Sequence, residues 1–205
     1  MYALLLLLCC CCCCCCYYYY YSGKSTLLVS LDLSAAFDII EHSILLQRLT
    51  YSFGVTGTAL CWIKCYLTDR NQSVCISQHS SPVVPCSVGV PQGSVLGPLL
   101  FSIYISSIAA VAESHGVQQQ QYADDTQLYI VLTPSDPSSE LAALQSCLTS
   151  LQVWFYTNGM AQSPDKSHAI LLGTAQRAQS FSGLQSIDVA GSATSLVSHI
   201  SNYSA

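Results

Sequence analysis

From Leu27 onward the chain alternates: Leu27, Val29, Leu31 and Leu33 fall on one parity, and Leu28, Ser30, Asp32 and Ser34 on the other. A period of two predicts a strand whose apolar face meets the core. Asp32 then lies near the end of the other face. After Ser34, a residue suited to an N-cap, the pattern changes. Phe37, Ile40, Ile44 and Leu45 recur at helical spacing, which predicts a helix directly after the strand. Asp32 is thereby placed at the carboxyl end of a strand, where open sheets hold ligands and chemistry. A carboxylate in that position serves equally well to cap the helix or to pair with a cation.

A second pattern surrounds Asp124 and Asp125. The flanks VQQQQY and TQLYIVL can both be extended, and the second is rich in β-formers. Asp favours turns, so the reading is a hairpin with Ala123, Asp124 and Asp125 at its tip. A solvated turn explains the Asp pair until a third carboxylate meets it, and Asp32 is the candidate if its strand lies beside the hairpin. Three converging carboxylates repel one another without a cation. Hard oxygen ligands suit Mg²⁺, which binds through one or two carboxylates plus substrate phosphates. Two such ions roughly 3.5–4 Å apart clamp the attacking and leaving oxygens of a phosphoryl transfer.

Composition narrows the partners. Of 205 residues 51% are hydrophobic, enough for a packed core, and only 8% are charged, which makes adjacent carboxylates conspicuous. The formal net charge is −5 with six Lys and Arg, too few to grip nucleic acid unaided. Of thirteen Cys, those from Cys9 to Cys16 form one run, and Cys61, Cys65, Cys75, Cys86 and Cys147 are scattered. Cys61 and Cys65 could share a helix face, but a structural zinc site usually needs four ligands. The five scattered thiols are expected reduced, in an intracellular protein.

Residues 1–21 read MYALLLLLCCCCCCCCYYYYY. No Lys or Arg precedes the apolar run, which argues against a signal peptide. Residues 3–21 come close to the roughly 20 that a spanning helix needs, with Tyr at one end to suit an interface. Perfect homopolymer runs are also what translated low-complexity DNA produces, and that reading is preferred. Ordinary sequence begins near Ser22.

Four segments occur in order: LDLSAAFD (31–38), VPQGSVLGPLLFSIYI (90–105), YADDTQLY (122–129) and NGMAQSPDKSHAILLG (158–173). They resemble motifs A, B, C and D of reverse transcriptases of the non-LTR (LINE-type) retrotransposon class, over about residues 22–193. The resemblance implies an α+β polymerase palm, an antiparallel sheet backed by helices, with partial fingers and no thumb. It implies Asp32 and Asp124 as metal ligands, Asp125 completing the carboxylate set, the Leu33 carbonyl as an extra ligand, and two Mg²⁺. Phe37 matches the aromatic position whose ring clashes with a ribose 2′-OH; it also suits the core of the expected helix. Pro91, Gln92 and Gly93 match the motif B loop that approaches nucleotide and template, where Gly permits close backbone approach. Beyond it, Ser94 can open a helix with Pro98 in an early turn and Leu99, Leu100, Ile103 and Ile108 as core. Lys166 matches a lysine that donates a proton to the leaving pyrophosphate, or is a solvated loop residue. Arg70 resembles a fingers-side position, set against nucleic acid or a neighbouring carboxylate.

Departures accompany the match. Homopolymers stand where the family has basic fingers, and the chain reaches LVSHISNYSA where a primer-grip hairpin is expected to begin. Ile39 and Glu41 replace the Thr and Asp usual in the FDTIDH stretch, and Gln118–Gln121 form a polar run. The expected organisation is a low-complexity segment (1–21), a palm with partial fingers (22–193) and a short tail (194–205). Two readings follow. One is an RNA-directed DNA polymerase domain acting on an RNA template, a DNA primer and deoxynucleoside triphosphates, nuclear or cytoplasmic. The other is an inactive retrotransposon remnant without enzymatic role, attached to a membrane, if at all, through residues 3–21.

Overall fold

The structure, a computed structural model, describes residues 24–34, 37–91 and 93–200. Residues 1–21, on which the membrane and low-complexity readings rest, and Gln92 lie outside them. In chain order the elements begin with β1 (Ser25–Leu31), β2 (Leu33–Ser34), α1 (His42–Tyr51) and α2 (Gly57–Leu67). Four two-residue strands follow: β3 (Asn71–Gln72), β4 (Cys75–Ile76), β5 (His79–Ser80) and β6 (Val84–Pro85). Next come α3 (Gly97–Ile105), α4 (Ile108–Ser114), β7 (Gln118–Tyr122), β8 (Asp125–Leu132) and α5 (Ser138–Thr157). The rest comprises β9 (Ala161–Gln162), a 3₁₀ turn (Pro164–Lys166), β10 (His168–Gly173), α6 (Ala175–Ser180), β11 (Ser186–Val189) and β12 (Ser192–Ile200).

The chain divides into two compact units, one of Met1–Ser34, Ser107–Tyr156 and Ala161–Ala205, the other of Ala35–Ser106 and Thr157–Met160. The first holds a six-stranded sheet in the order β11-β12-β10-β1-β8-β7. Its ladders are antiparallel except for β10 with β12, which run parallel. The expected strand at Leu27 is therefore central, and every residue of β1 is buried. This corrects the expectation of one polar face: Leu28, Tyr129 and Ile170 form a second apolar cluster on the even parity, packed against Leu172. Strands paired on both sides and covered on both faces need apolar residues on both parities. The even face opens only toward its end, from Leu28 at 2% exposed to Asp32 at 31%. Helix α5 buries Leu144, Cys147, Leu148, Leu151 and Phe155 at helical spacing, and Gln145 Nε2–H donates to the Asp188 carbonyl of β11.

In the second unit α1 buries Leu45 and Leu49, and α3 buries Leu100, Phe101, Tyr104 and Ile105. The Tyr104 hydroxyl donates to the Asn158 carbonyl at 2.9 Å, and the Arg48 guanidinium lies 4.7 Å over the Tyr104 ring. Two sequence expectations shift here. The helix after β1 starts at His42, not directly after Ser34, because the preceding backbone is already used: Val90 N–H donates to Phe37 O (2.9 Å) and Gly89 N–H to Ile40 O (2.8 Å). Ser34 is no N-cap; it pairs with Ala161 in a short ladder. Likewise α3 opens at Gly97 rather than Ser94, whose Oγ accepts from Gly97 N–H at 3.1 Å, with Pro98 in the first turn as expected. Leu100 and Ile108 are core, Ile103 is half-buried, and Leu99 is exposed, contrary to expectation.

Candidate active site

Register alone brings the carboxylates together. Leu31 pairs with Thr126 and Ser30 with His168. One step along the first ladder sets Asp32 beside Asp125; two steps along the second set it beside Lys166. The carboxyl end of β1 therefore meets the amino ends of β8 and β10, and their ordered side chains share one edge of the sheet. The expected hairpin is present: Tyr122 pairs with Asp125, and the turn is Ala123–Asp124, with Ala123 at φ 53°. Asp125 opens β8 rather than sitting in the tip.

The electrostatics agree with the register. The Asp125 carboxyl is pushed above the usual carboxylate range, first by burial, then by the negative charges of Asp124 and Asp32. Lys166 Nζ stands 3.7 Å from Asp32 Oδ2 while remaining largely exposed. That oxygen is itself out of water and has no hydrogen-bond partner. A buried carboxylate oxygen without a donor is costly, and a cation would offset the cost. Among the described residues no three Asp, Glu, His or Cys side chains form a preformed metal cage. Asp32, Asp124 and Asp125 offer only hard oxygen donors, the chemistry that suits Mg²⁺, an octahedral ion that keeps several waters and needs no all-protein cage.

The peptide of Asp32 is held by one turn. Ser163 N–H donates to Asp32 O at 2.9 Å, Asp32 N–H reaches Ser167 Oγ at 3.4 Å, and Ser167 Oγ–H donates to Ser163 O at 3.0 Å. Sequence reasoning missed both serines, although they flank the Pro164–Lys166 turn that carries the lysine. Leu33 follows Asp32, buried and paired with Gln162.

The remaining expected residues lie in the second unit. Phe37 sits in a turn, half-buried, its ring 5.1 Å from that of Phe101. Pro91 and Gly93 lie near the start of the 90–105 segment, and Gly93 has φ 77° with open space where a Cβ would stand. A close approach to the chain's own backbone occurs at Gly89 (φ 85°), where a Cβ would lie 2.9 Å from the Asp38 carbonyl oxygen. Arg70 meets no carboxylate among the described residues: its guanidinium lies 4.5 Å over the Tyr66 ring and its Nε–H donates to Tyr66 O at 2.7 Å.

The reverse transcriptase (RNA-dependent DNA polymerase) family matches residues 16–192. The chain belongs to this family. Its relatives include the RNA-directed DNA polymerase from mobile element jockey of Drosophila melanogaster, 36% identical over 132 residues, covering 60% of this chain and 14% of that protein. The probable RNA-directed DNA polymerase from transposon BS of the same species is 33% identical over 132 residues, 62% of this chain and 14% of that one. The Pol polyprotein from the type-1 retrotransposable element R2 of Popillia japonica is 25% identical over 162 residues, 74% of this chain and 25% of that one. The chain thus spans a quarter or less of these relatives, and the family portion is of the non-LTR class. Among solved structures, apo telomerase from Candida tropicalis, truncated from its C-terminal domain, aligns with a TM-score of 0.53 at 13% identity, covering 72% of this chain and 31% of that one. Telomerase from Candida albicans in complex with a telomeric RNA fragment aligns at 0.52 and 13%, over 70% and 26%. These likenesses establish the fold, an α+β reverse transcriptase palm.

Proposed function

We propose that this chain is the polymerase-site portion of an RNA-directed DNA polymerase, extending a DNA primer on an RNA template. The observation that supports this best is the register that sets Asp32 between Asp125 and Lys166 at one sheet edge. Asp32 and Asp124 would hold two Mg²⁺, with Asp125 and the Leu33 carbonyl beside them. Bound there, the ions supply charge stabilisation for in-line displacement at phosphorus. The primer 3′-oxygen bonds to the α-phosphorus of a deoxynucleoside triphosphate, and pyrophosphate leaves.

The protein's own residues position and neutralise. The Ser163–Ser167 turn holds the Asp32 backbone while presenting the Lys166 ammonium beside its carboxylate. Lys166 offers positive charge or a proton to departing pyrophosphate. By the family resemblance, Phe37 would disfavour a ribose 2′-OH, Pro91, Gln92 and Gly93 would serve nucleotide and template, and Arg70 would be a fingers-side contact. The setting is intracellular, as for the family. Among the described residues one helical run, Gly97–Ser114, passes for a membrane span by length and composition. Leu100, Phe101, Tyr104, Ile105, Ile108 and Ala112 within it are buried in protein, which supports core and not bilayer.

Primer extension on an RNA template with Mg²⁺, compared with Asp124→Asn, tests the proposal. Template-dependent incorporation by the wild type alone supports it. Equal incorporation by the two proteins leaves the inactive-remnant reading in its place.

A further inference from the structure

The glutamine run at 118–121 has no part in the polymerase chemistry. It forms most of β7, an outer strand of the six-stranded sheet that pairs with β8 alone among the described residues. The two-residue turn at 123–124 fixes which backbone groups face outward. It makes Tyr122 and Asp125 a hydrogen-bonded pair, and by alternation Gln120 with Gln127 and Gln118 with Tyr129 as well. Gln119 and Gln121 therefore turn their N–H and C=O groups away from β8. Those groups meet no partner among the described residues. The opposite edge, β11, is partly closed: the Asp188 carbonyl accepts from Gln145 of α5, and Asp188 adds a charge. Strand β7 carries no charged residue, no Pro and no bulge, the usual devices that keep an edge from pairing.

The run also fits itself. A glutamine amide both donates and accepts, so Gln opposite Gln satisfies both groups and brings no like charges together. Gln119 already lacks a partner: its Oε1 is out of water with no donor. Its face of the strand is sheltered, since Leu128 opposite it and Thr126 opposite Gln121 are buried. Gln121 Nε2 donates one N–H to Ala123 O at 3.1 Å and has a second to give. We propose that β7 is a dimer edge whose partner is β7 of a second copy of this chain, antiparallel about a two-fold axis at Gln120. Gln119 and Gln121 of one copy then pair with Gln121 and Gln119 of the other through their outward backbone groups. The Gln121 amide comes beside the unpartnered Gln119 Oε1, and Tyr122, 71% exposed, is set against Gln118 of the second copy. The two-fold contact is closed, so assembly stops at two copies. The pairing does not depend on polymerase activity.

Sedimentation of the full chain tests this, under reductant so that thiols do not link copies. The mass should rise with concentration from 22.1 kDa toward twice that and no further. Gln120→Lys and Gln120→Glu each set like charges across the axis, so each alone should stay monomeric. Mixed in equal amounts, the two variants should dimerise again. Hydrogen exchange of the wild type gives a reading that needs no variant. The amides of Gln119 and Gln121 should slow as concentration rises, and that of Gln120, already bonded to β8, should change less. A wild type that stays monomeric overturns the proposal. So does a Gln120→Lys protein that still dimerises, which would move the contact elsewhere, such as the apolar groove of Trp62, Ile63 and Leu99. Folded variants whose mixture stays monomeric overturn the axis at Gln120, and growth past two copies overturns the closed pair. Unaltered exchange at Gln119 and Gln121 in a dimer overturns it even if neither variant folds.

Discussion

In the sheet unit, Asp32, Asp125 and Lys166 stand at the ends of three hydrogen-bonded strands. In the helical unit, Phe37, Pro91, Gly93 and Arg70 stand on turns and loops. Ladders fix the first group: once Leu31 faces Thr126 and Ser30 faces His168, Asp32 is set between Asp125 and Lys166. Individual backbone bonds fix the second, such as Val90 to Phe37 and Gly89 to Ile40. A ladder delivers like charges to one edge despite their repulsion, because buried apolar strands hold the register. Loops allow adjustment to a ligand and depend on single residues.

The largest effect should fall where the ladder delivers charge. Asp124→Asn or Asp32→Asn should lower primer extension on the order of 10³-fold, as loss of a central electrostatic group does. Thermal melting without divalent cation should stay level or rise, since a like charge is removed. A marked fall in melting temperature would mean that these carboxylates hold the fold together. Next, Leu28→Ala should cost about 2–5 kcal/mol by denaturant titration, as it empties a site between Tyr129 and Ile170. A cost near zero would break the claim that a two-faced core sets the register.

The helical unit should be sensitive at one glycine. Gly89→Ala forces both a left-handed backbone and a contact with the Asp38 carbonyl, for about 1–3 kcal/mol. Gly93→Ala, with open space, should cost less. Equal costs would erase the distinction between conformation and close approach.

A smaller effect separates α5 from exposed surface. Burial pushes the Cys147 thiol from 9.0 up to about 11. Its folded state keeps the proton where the unfolded thiol loses it, so its contribution is full below about pH 9 and is lost as pH rises toward 11. Cys147→Ala should remove on the order of 1–2 kcal/mol of that alkaline dependence. Unchanged steepness of the unfolding profile would contradict it. The smallest stability change belongs to Lys166→Gln, below about 1 kcal/mol because the ion pair is exposed, while primer extension falls. A large stability loss with normal extension would make Lys166 a structural residue.

Legibility differed between the units for the same reason. The even parity at Leu28, Ser30 and Asp32 marked the strand, and the Asp pair marked the hairpin, but pattern alone gave β1 a polar face it does not have. Helical spacing at Phe37 and Ile40 misplaced the start of α1, because periodicity cannot register that Gly89 and Val90 claim those carbonyls. Gly89 drew no attention in the sequence, since a loop glycine shows its need for close approach only once the Asp38 backbone is located. Arg70 was set against a carboxylate or nucleic acid; its ring partner Tyr66 became visible only with the turn at Asp69.

Unaided, the sequence determined the residue types and order: strand, carboxylate, hairpin carboxylates, lysine turn, and the family they resemble. These depend on local periodicity and motif spacing, which a linear chain records. Tertiary structure decided which carboxylate faces which, that both faces of β1 are covered, that one serine turn holds Asp32, and that Arg70 folds back over Tyr66 at the end of α2. Those depend on pairing between segments distant along the chain, or on one dihedral angle at a helix end. Neither is written in the spacing of residues.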